Sequence, residues 1–140
     1  MDNSEFMSLH HAVGECRIAS RGTEVAPGYK PDLTVVDPGG QLAFIVECEQ
    51  TTNRKVFVGD LTKAANHADG CGARPVLVIV LKEQPNTTVS QIAKHLAPFA
   101  RRESSLVDVF VISDQAYRRS VECHEVLKSP EFRDRSFVVG

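Results

Sequence analysis

No CxxC pair occurs among the four cysteines, Cys16, Cys48, Cys71 and Cys123, and the chain shows no export signal. A disulfide framework is therefore not expected, and free thiols are. The closest approaches to zinc-ligand spacing are His67 with Cys71 and the adjacent Cys123-His124, both short of the four ligands a structural zinc needs. Long apolar runs are also missing. The longest, Pro75 to Leu81, is far short of the roughly 18 residues of a membrane helix, so no membrane partner is expected. The opening MDNSEFMSLHH has no apolar stretch behind a basic start, which makes the cytosol the expected location. Nor is there an excess of one charge. Sixteen Lys and Arg against eighteen Asp and Glu give a net charge of −2, which argues against a general nucleic-acid coat protein. No glycine-rich phosphate loop, GxSxG elbow or dinucleotide fingerprint is present. The histidines, His10-His11, His67, His95 and His124, show no triad or metal spacing and read as surface or helix-border residues.

What is present is the composition of a folded globular chain, 42% hydrophobic and 24% charged, without repeats or linkers. One domain over residues 1–140 is expected. Helical spacing of Phe6, Leu9, Ala12 and Val13 predicts a helix over 3–13 with Gly14 as its C-cap. After a polar arm with a short strand at 16–19, Leu33–Val36 and 41–50 read as a hairpin about the turn Asp37-Pro38-Gly39-Gly40. A helix over 54–68 follows, with Val58, Leu61, Ala65 and Ala68 on one face. Pro75–Leu81 is apolar on both alternating faces and reads as a central strand. A helix capped by Asn86 or Thr87 runs to Arg102, and a second buried strand covers 106–112. A helix over 114–128 and an edge strand at 136–139 complete the chain. The expected fold is α/β, a central mixed sheet of four to five strands flanked by helices.

Pro31-Asp32 opens one strand of the hairpin and Glu47-Cys48-Glu49 ends the other. Alternation puts Ala43, Ile45, Glu47 and Glu49 on one face and Phe44, Val46 and Cys48 on the other. Two acids on an otherwise apolar strand face are costly to bury without a compensating cation. Asp32, Glu47, the backbone carbonyl of Cys48 and water would supply the hard oxygen ligands that Mg²⁺ or Mn²⁺ prefers.

In this order and spacing the chain resembles the PD-(D/E)XK nuclease superfamily, the restriction-endonuclease-like fold. Over residues 1–113 there is a helix, Pro31-Asp32 on a strand, fourteen residues, Glu47-x-Glu49 ending a hydrophobic strand, then helix, strand, helix, strand. The resemblance implies a Mg²⁺- or Mn²⁺-dependent nuclease acting on DNA, commonly as a homodimer, with Asp32 and Glu47 on the metal. It also implies a lysine two residues after the second acid, and here that position is Glu49. Lys55 or Lys63 of the following helix is the candidate replacement, and Glu5 or Glu15 the candidate for the glutamate the first helix often adds. Measured from Leu61 as the centre of the buried helix face, Lys55 lies nearer the sheet than Lys63. The doublets Arg101-Arg102 and Arg118-Arg119 are the candidate phosphate contacts. The absent lysine leaves a second reading open: a nuclease-like module without catalysis that binds nucleic acid or a protein. A flavodoxin-like domain is disfavoured, because the first strands form a hairpin and not a βαβ unit.

Overall fold

The computed structural model describes residues 1–140. Six strands form one sheet in sequence order: β1 (Arg17–Arg21), β2 (Leu33–Val36), β3 (Leu42–Glu49), β4 (Val76–Leu81), β5 (Val109–Ser113) and β6 (Phe137–Val138). The first three form an antiparallel meander, β3, β4 and β5 run parallel, and β6 returns antiparallel to β5. The sheet is mixed as expected, but it has six strands and not four to five. The two edge strands account for the difference. β1 is polar, and β6 is two exposed residues long, so neither carries much apolar pattern.

Each parallel crossover needs a helix, and the sequence caps both. Asn53 accepts a hydrogen bond from the Lys55 N–H to start α2 (Arg54–Cys71), and Gly72, at φ 64°, ends it in the left-handed conformation. Thr88, one residue beyond the expected caps, starts α3 (Val89–Ala100) through a reciprocal capping box with Gln91. These two helices cover one sheet face, burying Phe57, Leu61, Ala64 and Ala68 of α2 and Ile92 and Leu96 of α3 against Ile45, Leu77, Ile79, Leu81, Val109 and Val111. The opposite face carries Phe6 of α1 (Asn3–Ser8), Tyr117 of α4 (Asp114–Glu122) and Phe132 of α5 (Pro130–Arg135), packed on Leu33, Val35, Val46, Val78, Val80, Phe110 and Ile112. β4 is buried at every position because helices lie on both of its faces.

Three local expectations are corrected. α1 stops at Ser8, since Leu9 is extended and its N–H bonds the Phe6 carbonyl. The chain then turns inward, and His11 is only 8% exposed, against Phe6 and Tyr117, instead of on the surface. The helix expected over 114–128 is two. It breaks after Glu122 where His124 takes φ 55°, and it restarts behind the Ser129 cap with Pro130 in the first turn. A register shift between β2 and β3 pairs Val36 with Leu42 while Val35 pairs with Phe44. Ala43 therefore packs on the α1/α4/α5 face and does not share the face of Ile45.

Candidate metal centre

Leu33 pairs with Val46, so one step further along the ladder sets Asp32 opposite Glu47. Two hydrogen bonds lock the corner. The Asp32 N–H donates to Glu47 Oε1 at 3.1 Å, and the Cys48 N–H donates to Asp32 Oδ2 at 2.7 Å. Each carboxylate is thus held by a backbone amide of the neighbouring strand. Ile45 points to the α2 face, so Glu47 and Glu49, two and four residues on, point there too. Asp60 of α2 meets them from above. Together with Asn3, Tyr29, Lys30, Cys48 and Lys63 these acids line a cleft of about 270 Å³.

The cleft works against the charge of its own acids. Burial pushes the Glu47 carboxyl up to about 8, helped by the charges of Asp32 and Glu49 and opposed by the Asp32 amide and by Lys63. Asp32 is raised for the same leading reason, with the Cys48 amide pulling the other way. Asp60 is raised strongly by burial, then by its hydrogen-bond contact with the Glu49 carboxyl and by the charges of Glu47 and Asp32. Two buried polar atoms here have no partner, Asp60 Oδ2 and the Tyr29 hydroxyl. Burial thus favours the protonated forms of Glu47 and Asp60, and a divalent cation bound here would have to displace those protons. No three of the acids stand together as a group that could hold a metal ion.

The other sequence candidates separate clearly. Lys63 lines the cleft, whereas the exposed Lys55 does not. The buried stripe of α2 includes Asp60 with Phe57, Leu61 and Ala64, and measured from Asp60, Lys63 is only about 60° round the helix. Glu5 pairs instead with Arg118 and lines a neighbouring cleft of about 520 Å³ with Lys82, Asp114 and Gln115; Asn3 is the α1 residue at the acids. Glu15 is exposed and does not line the acid cleft. Arg119 pairs with Glu122. Arg101 and Arg102 close α3 ahead of β5, at the end of the parallel strands opposite to Glu47 and Glu49. Asp60, Tyr29 and Lys30 were not singled out from sequence. Asp60 carried a readable signal, a charged residue inside an otherwise apolar helical stripe. No helix is long and apolar enough to cross a membrane. No family model, curated protein or solved structure matches the chain.

Proposed function

We propose that the chain is a metal-dependent nuclease that hydrolyses phosphodiester bonds, in DNA by preference, at the Asp32–Glu47 corner. The observation that carries this reading is the meeting of Asp32 and Glu47 on adjacent strands, with Lys63 of the next helix in the same cleft. Asp32 and Glu47 would hold the ion, with the Cys48 carbonyl as a further oxygen. A bound Mg²⁺ or Mn²⁺ supplies Lewis acidity toward the phosphate and an acidified water. Glu49, at the end of the same strand face, would take a proton from the attacking water. Lys63, in the same cleft, would bring the positive charge that Glu49 does not. Lys30, next to Asp32, adds a second cation to the rim.

Supercoiled, linear, single-stranded and branched DNA, incubated with Mg²⁺ or Mn²⁺, test the reading. Cleavage by wild type, with Asp32→Asn and Lys63→Ala each losing at least about 100-fold and Lys55→Ala unchanged, is the expected result. Cleavage by wild type and by the Asp32→Asn/Glu47→Gln double variant at equal rates would identify a contaminant. Metal binding without cleavage of any substrate would favour the catalytically silent module, which Glu49 in the lysine position also favours. A homodimer carrying two such sites is the proposed form for cutting both strands, and sedimentation equilibrium checks it.

A further inference from the structure

We propose that His67 and Cys71, at the C-terminal end of α2, chelate a Zn²⁺ ion whose remaining positions are filled by water. The site is separate from the Asp32–Glu47 corner, about two helical turns beyond Asp60, and it does not rest on the nuclease reading. His67 and Cys71 stand four residues apart and so are neighbours on one face of the helix. The Cys71 sulfur lies 3.7 Å from Nε2 of the His67 ring and 3.9 Å from Nδ1. A tetrahedral zinc, with bonds of about 2.3 Å to sulfur and about 2.0–2.1 Å to nitrogen, holds those two atoms about 3.6 Å apart. The pair therefore already has the bite of a zinc chelate, and an ion can enter it without movement of the backbone.

Three further observations favour a cation here. Cys71 is a free, exposed thiol whose sulfur meets only the His67 ring. His67 is partly buried and its ring is set T-shaped against Tyr29, with 5.6 Å between centroids, which fixes one ligand before the ion arrives. The same burial lowers the imidazole below its ordinary 6.5, toward the neutral form that binds metal. The end of α2 is also electrostatically open to a cation: its last turn has no basic residue and includes the exposed Asp69, so nothing offsets the negative end of the helix dipole. Thiolate and imidazole select zinc over Mg²⁺ and Mn²⁺, which prefer oxygen. On binding, a Zn–S bond forms and the thiol proton leaves to solvent. No third His, Cys, Asp or Glu completes the set, so the ion is an exchangeable one and not a structural zinc.

Titration of the full chain with Co²⁺, in excess Mg²⁺, tests the site through the near-ultraviolet thiolate-to-cobalt band, which carboxylate ligands do not produce. Wild type is expected to show the band at one equivalent and to lose it when Zn²⁺ displaces the Co²⁺. Cys71→Ser should abolish it, and His67→Gln should weaken Co²⁺ binding more than about tenfold. Cys123→Ser, at the other exposed cysteine, should leave it unchanged. Zn²⁺ should also slow alkylation of Cys71, followed by peptide mass spectrometry, in wild type and not in His67→Gln. A band that survives in Cys71→Ser, or that disappears in Cys123→Ser, would overturn the assignment. Equal affinity in wild type and His67→Gln would overturn the chelate and leave a lone thiol. No band in wild type would remove the site altogether while leaving the Asp32–Glu47 reading untouched. Should His67→Gln fail to fold by circular dichroism, His67→Phe, which keeps an aromatic ring against Tyr29, gives the same readout.

Discussion

Glu47 shows how a single carboxyl can oppose the fold that positions it. Its value of about 8 stands well above the ordinary 4.5, so the folded chain favours the protonated acid. The stability this contributes is complete below pH 4.5 and is lost as the pH rises through 8. In EDTA the melting temperature should therefore fall between pH 5 and 9. Asp32 and Asp60, raised by the same burial, add to the slope. Glu47→Gln keeps an oxygen for the Asp32 amide while removing the charge. At pH 9 it should be more stable than wild type by about 1–3 kcal/mol, and the two should converge near pH 5. Thermal melts across that range decide the matter, and a variant less stable than wild type at pH 9 would contradict it. Mg²⁺ should reverse the order, because only wild type gains the full stabilisation of a bound ion. Asp32, Glu47 and Glu49 were legible because strand alternation is a two-residue rule that acids on an apolar strand visibly break. Asp60 goes unread when helix periodicity is taken from apolar residues alone, because a lone aspartate on a helix is ordinarily solvated; its signal is its place inside the apolar stripe of α2.

Elements differ in how much of their boundary the local sequence carries. β2 covers Leu33–Val36 as expected, and β3 falls within a residue of the expected ends, because the turn Asp37-Pro38-Gly39-Gly40 lies between them. α1 shows the opposite case: Phe6, Leu9, Ala12 and Val13 keep helical spacing, yet the helix is only six residues long. Tertiary packing overrides the pattern, since an extended Leu9 lets His11 pass beneath Phe6 and bond the Tyr117 hydroxyl of α4 at 2.7 Å. No sequence rule spans the 106-residue separation of those partners. That contact has a titratable consequence. Burial lowers His11 from 6.5 to about 4, so the neutral ring is the folded form. Its stabilisation is fully present above pH 6.5 and is lost as the pH falls toward 4, up to about 3 kcal/mol. The free-energy difference between wild type and His11→Leu, measured by urea unfolding, should therefore shrink on going from pH 7 to pH 4. A pH-independent difference would show that the ring is not buried neutral.

At the scale of the whole molecule, the sheet has two unlike ends. Charge doublets in the sequence carry no information about which end they occupy, because the crossovers decide it. The parallel strands deliver Glu47, Glu49 and, past β4, Lys82 to one end, and α1 and the start of α4 bring Asn3 and Arg118 to the same side. Arg101 and Arg102 precede β5, and a six-residue strand separates them from the acids by about 20 Å. A chain of net charge −2 has no general attraction for a polyanion, so on the proposed nuclease reading DNA would be held by local cations at the acid end together with the divalent ion. Lys30, Lys63, Lys82 and Arg118 are those cations, although Arg118 is partly neutralised by Glu5. Fluorescence anisotropy with a short duplex, in Ca²⁺ to suppress cleavage and across a salt series, should show weak and steeply salt-dependent binding. Lys30→Ala or Lys82→Ala should weaken it about threefold to tenfold and flatten the slope of log K against log salt by nearly one contact each. Arg101→Ala/Arg102→Ala should leave both affinity and slope unchanged. Arg118→Ala should fall between, because removing it also frees the Glu5 charge that it pairs with. Loss of affinity in the Arg101/Arg102 variant, with Lys30 and Lys82 silent, would place the polyanion at the far end of the sheet and dissociate binding from the acid cleft altogether.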